Sequence, residues 1–276
     1  METRPDINDL KKEAAEIRKD ILKMLYMAGS GHPGGSLSLV DILVALYSYK
    51  LKYDPARPDW RQRDKVLLSK GHACPALYAV LARKGYFPRE ELWTLRKLGS
   101  RLQGHPQVGV PGVEISSGSL GQGLSIANGM ALADRMDGIS PRIYCLMGDG
   151  ETNEGQIWEA AMTASHYKLD NICAVIDHNK LQIDGFCCDV KNLAEYDKKW
   201  ASFGWEPIEA NGHDIGQMMD ALDRAAAVKG KPQVIVAHTI KGCGVSFMEN
   251  KAKWHGVAPK KEECEKAVAE IDGSLK

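Results

Sequence analysis

A chain of 276 residues, 44% hydrophobic and 26% charged, is long enough to bury a sizeable core and has the composition of an ordinary globular protein. Lysine plus arginine and aspartate plus glutamate both number 36, so no net positive field exists to draw in a phosphate backbone, which argues against nucleic acid as a partner. The longest apolar runs, such as 76–82, fall far short of the roughly 20 residues that a membrane span needs, and the N-terminus is too charged for a signal peptide, so a cytoplasmic protein with no membrane partner is expected.

Leu10, Ala14, Ile17, Ile21 and Leu25 recur at three- and four-residue steps, which predicts an amphipathic helix closed by Gly29. Ser38 and Asp41 resemble a capping box ahead of the apolar run 42–46, which predicts a second helix starting there. Val66 to Ser69, Ile143 to Met147, Ile172 to Ile176 and Val234 to Ala237 read as buried parallel strands with helical patterns between them, Ile157 to His166 among these. Such alternation implies an α/β fold, a mostly parallel sheet with helices on both faces. No repeat or Pro/Ser-rich linker marks a boundary, so residues 1–276 are expected to form a single domain. From Lys260 onward Lys and Glu dominate, which predicts a solvated surface helix. The seven cysteines are scattered without a C-x-x-C pair and read as reduced thiols, mostly in the core.

Glycine-rich loops follow the strands, where ligands bind in such sheets. Gly150 to Gly155 has P-loop spacing, but Gln156 and Ile157 stand where Lys and Ser/Thr are required, and 118–123 does not match G-x-G-x-x-G. The segment Gly148-Asp149-Gly150, between an apolar strand and a helical pattern, has a different logic. Glycine admits an anion to backbone N–H groups, the helix start adds more donors, and Asp149 offers a hard oxygen to a divalent metal. The next apolar strand ends in Asp177-His178-Asn179-Lys180-Leu181, whose Asn179 oxygen and Leu181 carbonyl could complete the protein's share of a Mg²⁺ shell.

A G-D-G followed, after about thirty residues, by an asparagine beyond an apolar run resembles the thiamine-diphosphate enzymes. Ser30-Gly-His32-Pro-Gly-Gly35, Ser69-Lys-Gly-His72, Gly104-His105-Pro106, Gly118-Ser-Leu-Gly-Gln-Gly123, the 179–185 segment and Trp254-His255-Gly256 occur in the order found in transketolases. Over about residues 10–260 the chain therefore resembles the N-terminal, diphosphate-binding subunit of a split transketolase, with a thiamine-diphosphate-binding fold. The resemblance implies a subunit that transfers a two-carbon ketol group from a ketose phosphate to an aldose phosphate, the cofactor itself supplying the carbanion. It assigns the metal, Mg²⁺ with Ca²⁺ or Mn²⁺ as substitutes, to Asp149, Asn179 and the Leu181 carbonyl. Thiamine diphosphate falls to His72, Gly118, Ser119, Leu120, Gly150, Glu154, Asn179 and His255. His32, His72, His105 and His255 would face the reacting carbon, where imidazoles relay protons near neutral pH.

Glu154 reads either as an acidic residue favoured at a helix start or, by the resemblance, as part of a carboxylate network across a subunit interface. His166, His178, His213 and His238 match nothing catalytic and are assigned to structure, as are Asp41, Glu114, Asp184 and Glu195. Strand alternation should turn His178 away from the metal asparagine. Ser119, Ala73-Cys74-Pro75 and Ser36-Leu37-Ser38 depart from the commoner transketolase pattern and bear on substrate choice. About twenty residues follow His255, so the pyrimidine-binding domain that the cofactor needs is expected on a C-terminal transketolase subunit, in an α2β2 assembly. The competing readings are 1-deoxyxylulose-5-phosphate synthase, the α subunit of a 2-oxo acid dehydrogenase, and a cofactor-binding scaffold subunit without turnover.

Overall fold

The computed structural model describes residues 4–274. Helix α1 (Ile7–Ala28) begins at Asp6, whose carboxylate accepts the Asn8 N–H, and ends at Gly29, which takes a left-handed φ of 63° and donates to the Leu25 and Tyr26 carbonyls. Its predicted stripe is buried throughout. Helices α2 (Pro33–Ser38) and α3 (Val40–Ala45) follow, then β1 (Lys65–Leu68), α4 (Cys74–Arg83), α5 (Gln122–Met136), β2 (Ile143–Gly148), α6 (Gly155–His166) and β3 (Ile172–His178). The rest of the chain forms α7 (Cys187–Val190), α8 (Tyr196–Ser202), β4 (Glu206–Asn211), α9 (Ile215–Ala227), β5 (Gln233–His238) and α10 (Lys261–Ser274).

All strand pairs are parallel, in the order β1-β2-β3-β5-β4. Alternate residues of the central strands serve two cores, as the pleat requires. Tyr144, Leu146, Cys173 and Val175 pack with α1, α3, α4, α9 and α10, while Ile143, Cys145, Met147, Ile172, Ala174 and Ile176 pack with α5, α6 and α8. Helices on both faces explain why these strands read as continuous apolar runs.

One expectation needs correction, and one strand was not expected. Ser38 does not cap a helix: it ends α2, and its hydroxyl donates to Asp177 Oδ2 at 2.6 Å, while Asp41 is held by Arg18 at 2.5 Å and His213 Nδ1 at 2.8 Å. Strand β4 has no counterpart among the predicted strands, because an edge strand buries one face only; Ile208 and Ala210 point inward, alternating with Pro207, Glu209 and Asn211, and its Pro207 is tolerated at the edge. The C-terminal helix is the expected surface helix, solvated on one face and burying Cys264, Ala267 and Ile271 on the other, where it lies against α1. All seven cysteines are free; Cys188 is exposed, Cys243 half-buried and the rest buried. Among the described residues, no helix is long and apolar enough to cross a membrane.

Candidate functional site

The carboxyl ends of β1, β2, β3 and β5 each release a loop carrying a charged or histidine side chain, and these loops surround a cavity of about 410 Å³. Asp149, directly after β2, is buried; its carboxylate accepts the Gly150 N–H at 2.7 Å and the Lys180 N–H at 2.5 Å. Burial, reinforced by the charge of Asp177, pushes its pKa up to about 6. Register sets this proximity, because Gly148 pairs with Asp177 across β2 and β3. Asn179 Oδ1 accepts the Leu181 N–H at 3.2 Å, and the Leu181 carbonyl accepts from Lys241 Nζ at 3.1 Å.

Four imidazoles stand over this floor. Ring centroids are 5.4 Å apart for His32 and His72, 6.2 Å for His32 and His105, 5.6 Å for His32 and His255, and 5.1 Å for His72 and His255. Burial, helped by Arg96 and His105, lowers the His32 pKa to about 4, and burial with Lys241 does the same to His255. His72 is held well below the usual imidazole value by burial and Lys70, and His105 is lowered by burial and Arg96. All four are therefore neutral near pH 7, each able to donate one hydrogen bond and accept another.

Every residue expected in the site lines the cavity except Ser119, which is exposed beside it. Glu154 is exposed at the rim and stands at the N-cap of α6, where its side chain makes no capping hydrogen bond but its charge still lies at the helix start. Asp184, read as structural, lines the cavity as well. Glu114 is paired with Arg63 and Glu195 with Lys198, as structural residues would be. His178 turns away, as alternation requires, and meets His238; His213 bonds Asp41, and His166 packs on Tyr167.

Sequence reasoning missed the ionic framework. Lys70 ion-pairs with Asp177 and donates to the Gly35 carbonyl at 3.0 Å; Asp177 also accepts from Ser38 and Thr239. Glu151 ties Ser69 Oγ, the Gly121 N–H and the Gly148 N–H together. Lys241 is buried with two neutral partners, the Leu181 carbonyl and His255 Nδ1 at 2.8 Å, and burial drops its pKa to about 8, with Asp149 opposing and Lys70 adding to the shift. The available signal was position: Lys241 follows β5 as Asp149 follows β2.

A divalent metal carrying a diphosphate fits these residues. Asp149 is an acceptor with no cation of its own, and Lys241 a cation with no carboxylate bonded to it. His32 Nδ1, Asn153 Oδ1 and Gln182 Nε2 are buried around the same cavity without a hydrogen-bond partner, the condition in which a ligand's polar atoms are awaited.

Comparison with known proteins bears on this arrangement. Residues 10–272 match the model of the family described as "Transketolase, thiamine diphosphate binding domain". The chain is 46% identical over 265 residues to the 6-deoxy-6-sulfo-D-fructose transketolase subunit SqwG of Clostridium sp. (strain MSTE9), covering 96% of each chain. It is 42% identical to an apulose-4-phosphate transketolase subunit of Phocaeicola vulgatus, over 96% of this chain and 94% of that one. Transketolase from Campylobacter jejuni superposes with a TM-score of 0.91 at 35% identity, over 98% of this chain but 43% of its own. The chain thus spans nearly the whole of the subunits it resembles and about two fifths of the full-length transketolases.

Proposed function

The chain belongs to the transketolase family, and we propose that it is the diphosphate-binding subunit of a two-chain transketolase that moves a two-carbon ketol group from a ketose to an aldose phosphate. The observation that carries this reading is the polarity of the cavity floor, with Asp149 and Lys241 unneutralised on either side of Leu181 and four neutral imidazoles above them. The competing readings of a synthase, a dehydrogenase subunit or a scaffold have no comparable support, since the relatives that match end to end are transketolase subunits.

In this reading Asp149, Asn179 and the second lone pair of the Leu181 carbonyl hold the metal, Mg²⁺, Ca²⁺ or Mn²⁺, all of which prefer oxygen. The Gly150 N–H, His72, Asn179, His255 and Lys241 hold the diphosphate, and Gly118, Ser119 and Leu120 flank the rest of thiamine diphosphate. Once bound, the cofactor supplies the nucleophilic carbon and the electron sink that the protein's side chains lack. The chain's own work is binding and proton handling. His32 and His105 can donate to substrate oxygens, and His72 and His255 can hold or pass a proton between the diphosphate side and the sugar, because burial keeps them neutral. Glu154, exposed on the rim, would meet the second chain in this reading.

The relatives named for sulfofructose and apulose phosphate support a ketose with an anionic tail as the donor class. A C-terminal subunit with the pyrimidine-binding domain, two copies of each chain, completes the site. The test is a coupled ketol-transfer assay on the purified chain, alone and with that subunit. Activity should need both chains, Mg²⁺ and thiamine diphosphate; turnover by this chain alone would refute the two-chain reading.

A further inference from the structure

The carboxyl ends of β3, β4 and β5 carry a second constellation that the proposed reaction does not use. His178 and His238 are register partners on adjacent parallel strands, and their Nδ1 atoms face each other at 3.2 Å. On its other side His238 Nε2 hydrogen-bonds the carboxylate of Glu209 on β4. A separate cavity of about 320 Å³ opens over the pair, lined also by Lys180, Cys188 and Tyr196.

The protons define what this arrangement can bind. A carboxylate only accepts, so His238 Nε2 carries the proton, and the neutral ring presents a bare lone pair at Nδ1. Opposite it, a single proton on His178 Nδ1 is all that bridges the two nitrogens. Tetrahedral Zn²⁺ bonds imidazole nitrogen at about 2.0–2.1 Å, which sets two ligand nitrogens of one shell about 3.3 Å apart. The observed separation already matches, and Glu209 occupies the position of the outer carboxylate that fixes a ligating histidine's tautomer and orientation.

We propose that His178 and His238 are two ligands of a transition-metal site for Zn²⁺, Cu²⁺ or Ni²⁺, oriented by Glu209 and open to water on the cavity side. Binding replaces the bridging proton, which moves from His178 Nδ1 to His178 Nε2, so that both imidazoles bind the metal as neutral rings. Nitrogen donors select against Mg²⁺, so this site is chemically distinct from the oxygen-lined one, although His178 adjoins Asn179.

The test is calorimetric titration of the untagged full chain with ZnCl₂ in excess Mg²⁺, with Cu²⁺ followed by electron paramagnetic resonance. One equivalent should bind, Cu²⁺ more tightly than Zn²⁺, with nitrogen hyperfine structure in the Cu²⁺ spectrum. Glu209→Gln should weaken binding about 10-fold, the His178→Ala/His238→Ala pair should abolish it, and Asp149→Asn should leave it unchanged. His238 and Glu209 are about half exposed, so these variants should keep the native circular dichroism spectrum, which is checked in parallel. No binding by the wild type, binding that persists in the double histidine variant, or binding lost with Asp149→Asn or with Cys188→Ser alone would each overturn the assignment.

Discussion

Lys241→Met should separate what the chain gives up in stability from what it gains in affinity. The lysine is 2% exposed, and its pKa falls from 10.5 to about 8 mainly through burial. At about 1.4 kcal/mol per unit, holding the ammonium in the native state at neutral pH costs about 3 kcal/mol relative to the unfolded chain. The sign follows from proton counts: between about pH 8 and 10.5 the unfolded chain binds more protons, so this group's contribution makes the native state more stable as pH rises through that window. Methionine keeps the stem and removes the charge, but it leaves the Leu181 carbonyl and His255 Nδ1 without their donor, at about 1–3 kcal/mol. Stability at neutral pH should therefore change little, while the rise toward pH 10.5 disappears. Diphosphate affinity should respond differently, losing a charge-assisted contact of about 1.5–3 kcal/mol, or about 10- to 150-fold. Urea denaturation at the two pH values and calorimetric titration with thiamine diphosphate and Mg²⁺ measure the two effects. A variant with wild-type affinity and the wild-type pH slope would refute the placing of Lys241 in the diphosphate cradle.

Asp149→Asn should weaken Mg²⁺-dependent cofactor binding by more than the roughly 10- to 100-fold typical of outer-shell losses, while the melting temperature holds or rises because repulsion with Asp177 is removed; unchanged cofactor affinity by calorimetry would contradict the metal assignment. In the assembled enzyme His105→Ala should lower kcat about 100-fold with little change in cofactor Kd, and parallel loss of both would move His105 from substrate to cofactor. Gly34→Ala would set a Cβ 2.9 Å from Lys241 Cγ and 3.0 Å from the Trp254 carbonyl, so denaturation should show a loss of about 1–3 kcal/mol, accompanied by weaker cofactor binding.

Legibility in the sequence followed the physics of each element. Strands buried on both faces declare themselves as apolar runs, and four of the five were readable; β4, half-exposed at the edge, offers only Ile208 and Ala210. The histidines and Asp149 were readable because each sits in a glycine-rich loop whose pattern is local. Lys70, Lys241, Asp177 and Glu151 were not, because what defines them is a partner far along the chain: Lys70 meets Asp177 across 107 positions and Lys241 reaches Leu181 across 60. The supposed capping box failed for the same reason. Ser38 and Asp41 have the right spacing for a local motif, but Asp177 and Arg18 compete for them with buried, charge-assisted bonds.

Two lysines and two aspartates lie at or beneath the floor of the cavity, Asp177 being buried under it, and their inequality is what gives the floor its chemistry. Asp177 is fully buried and takes up Lys70, Ser38 and Thr239, which together hold its pKa below the usual carboxylate value despite the burial. That pair is closed and can only brace the loops. Asp149 and Lys241 receive no such closure: one rests on two backbone N–H groups, the other on a carbonyl and an imidazole. Each bears the desolvation penalty of a buried ion without full Coulombic compensation, so the floor is stabilised by a ligand that brings a cation to Asp149 and an anion to Lys241 together. A free divalent ion would still leave the ammonium uncompensated, and a free diphosphate would add charge beside the carboxylate. Their salt would satisfy both, so under the proposed function the two residues left with uncompensated charge are the ones that would favour a metal-bound diphosphate.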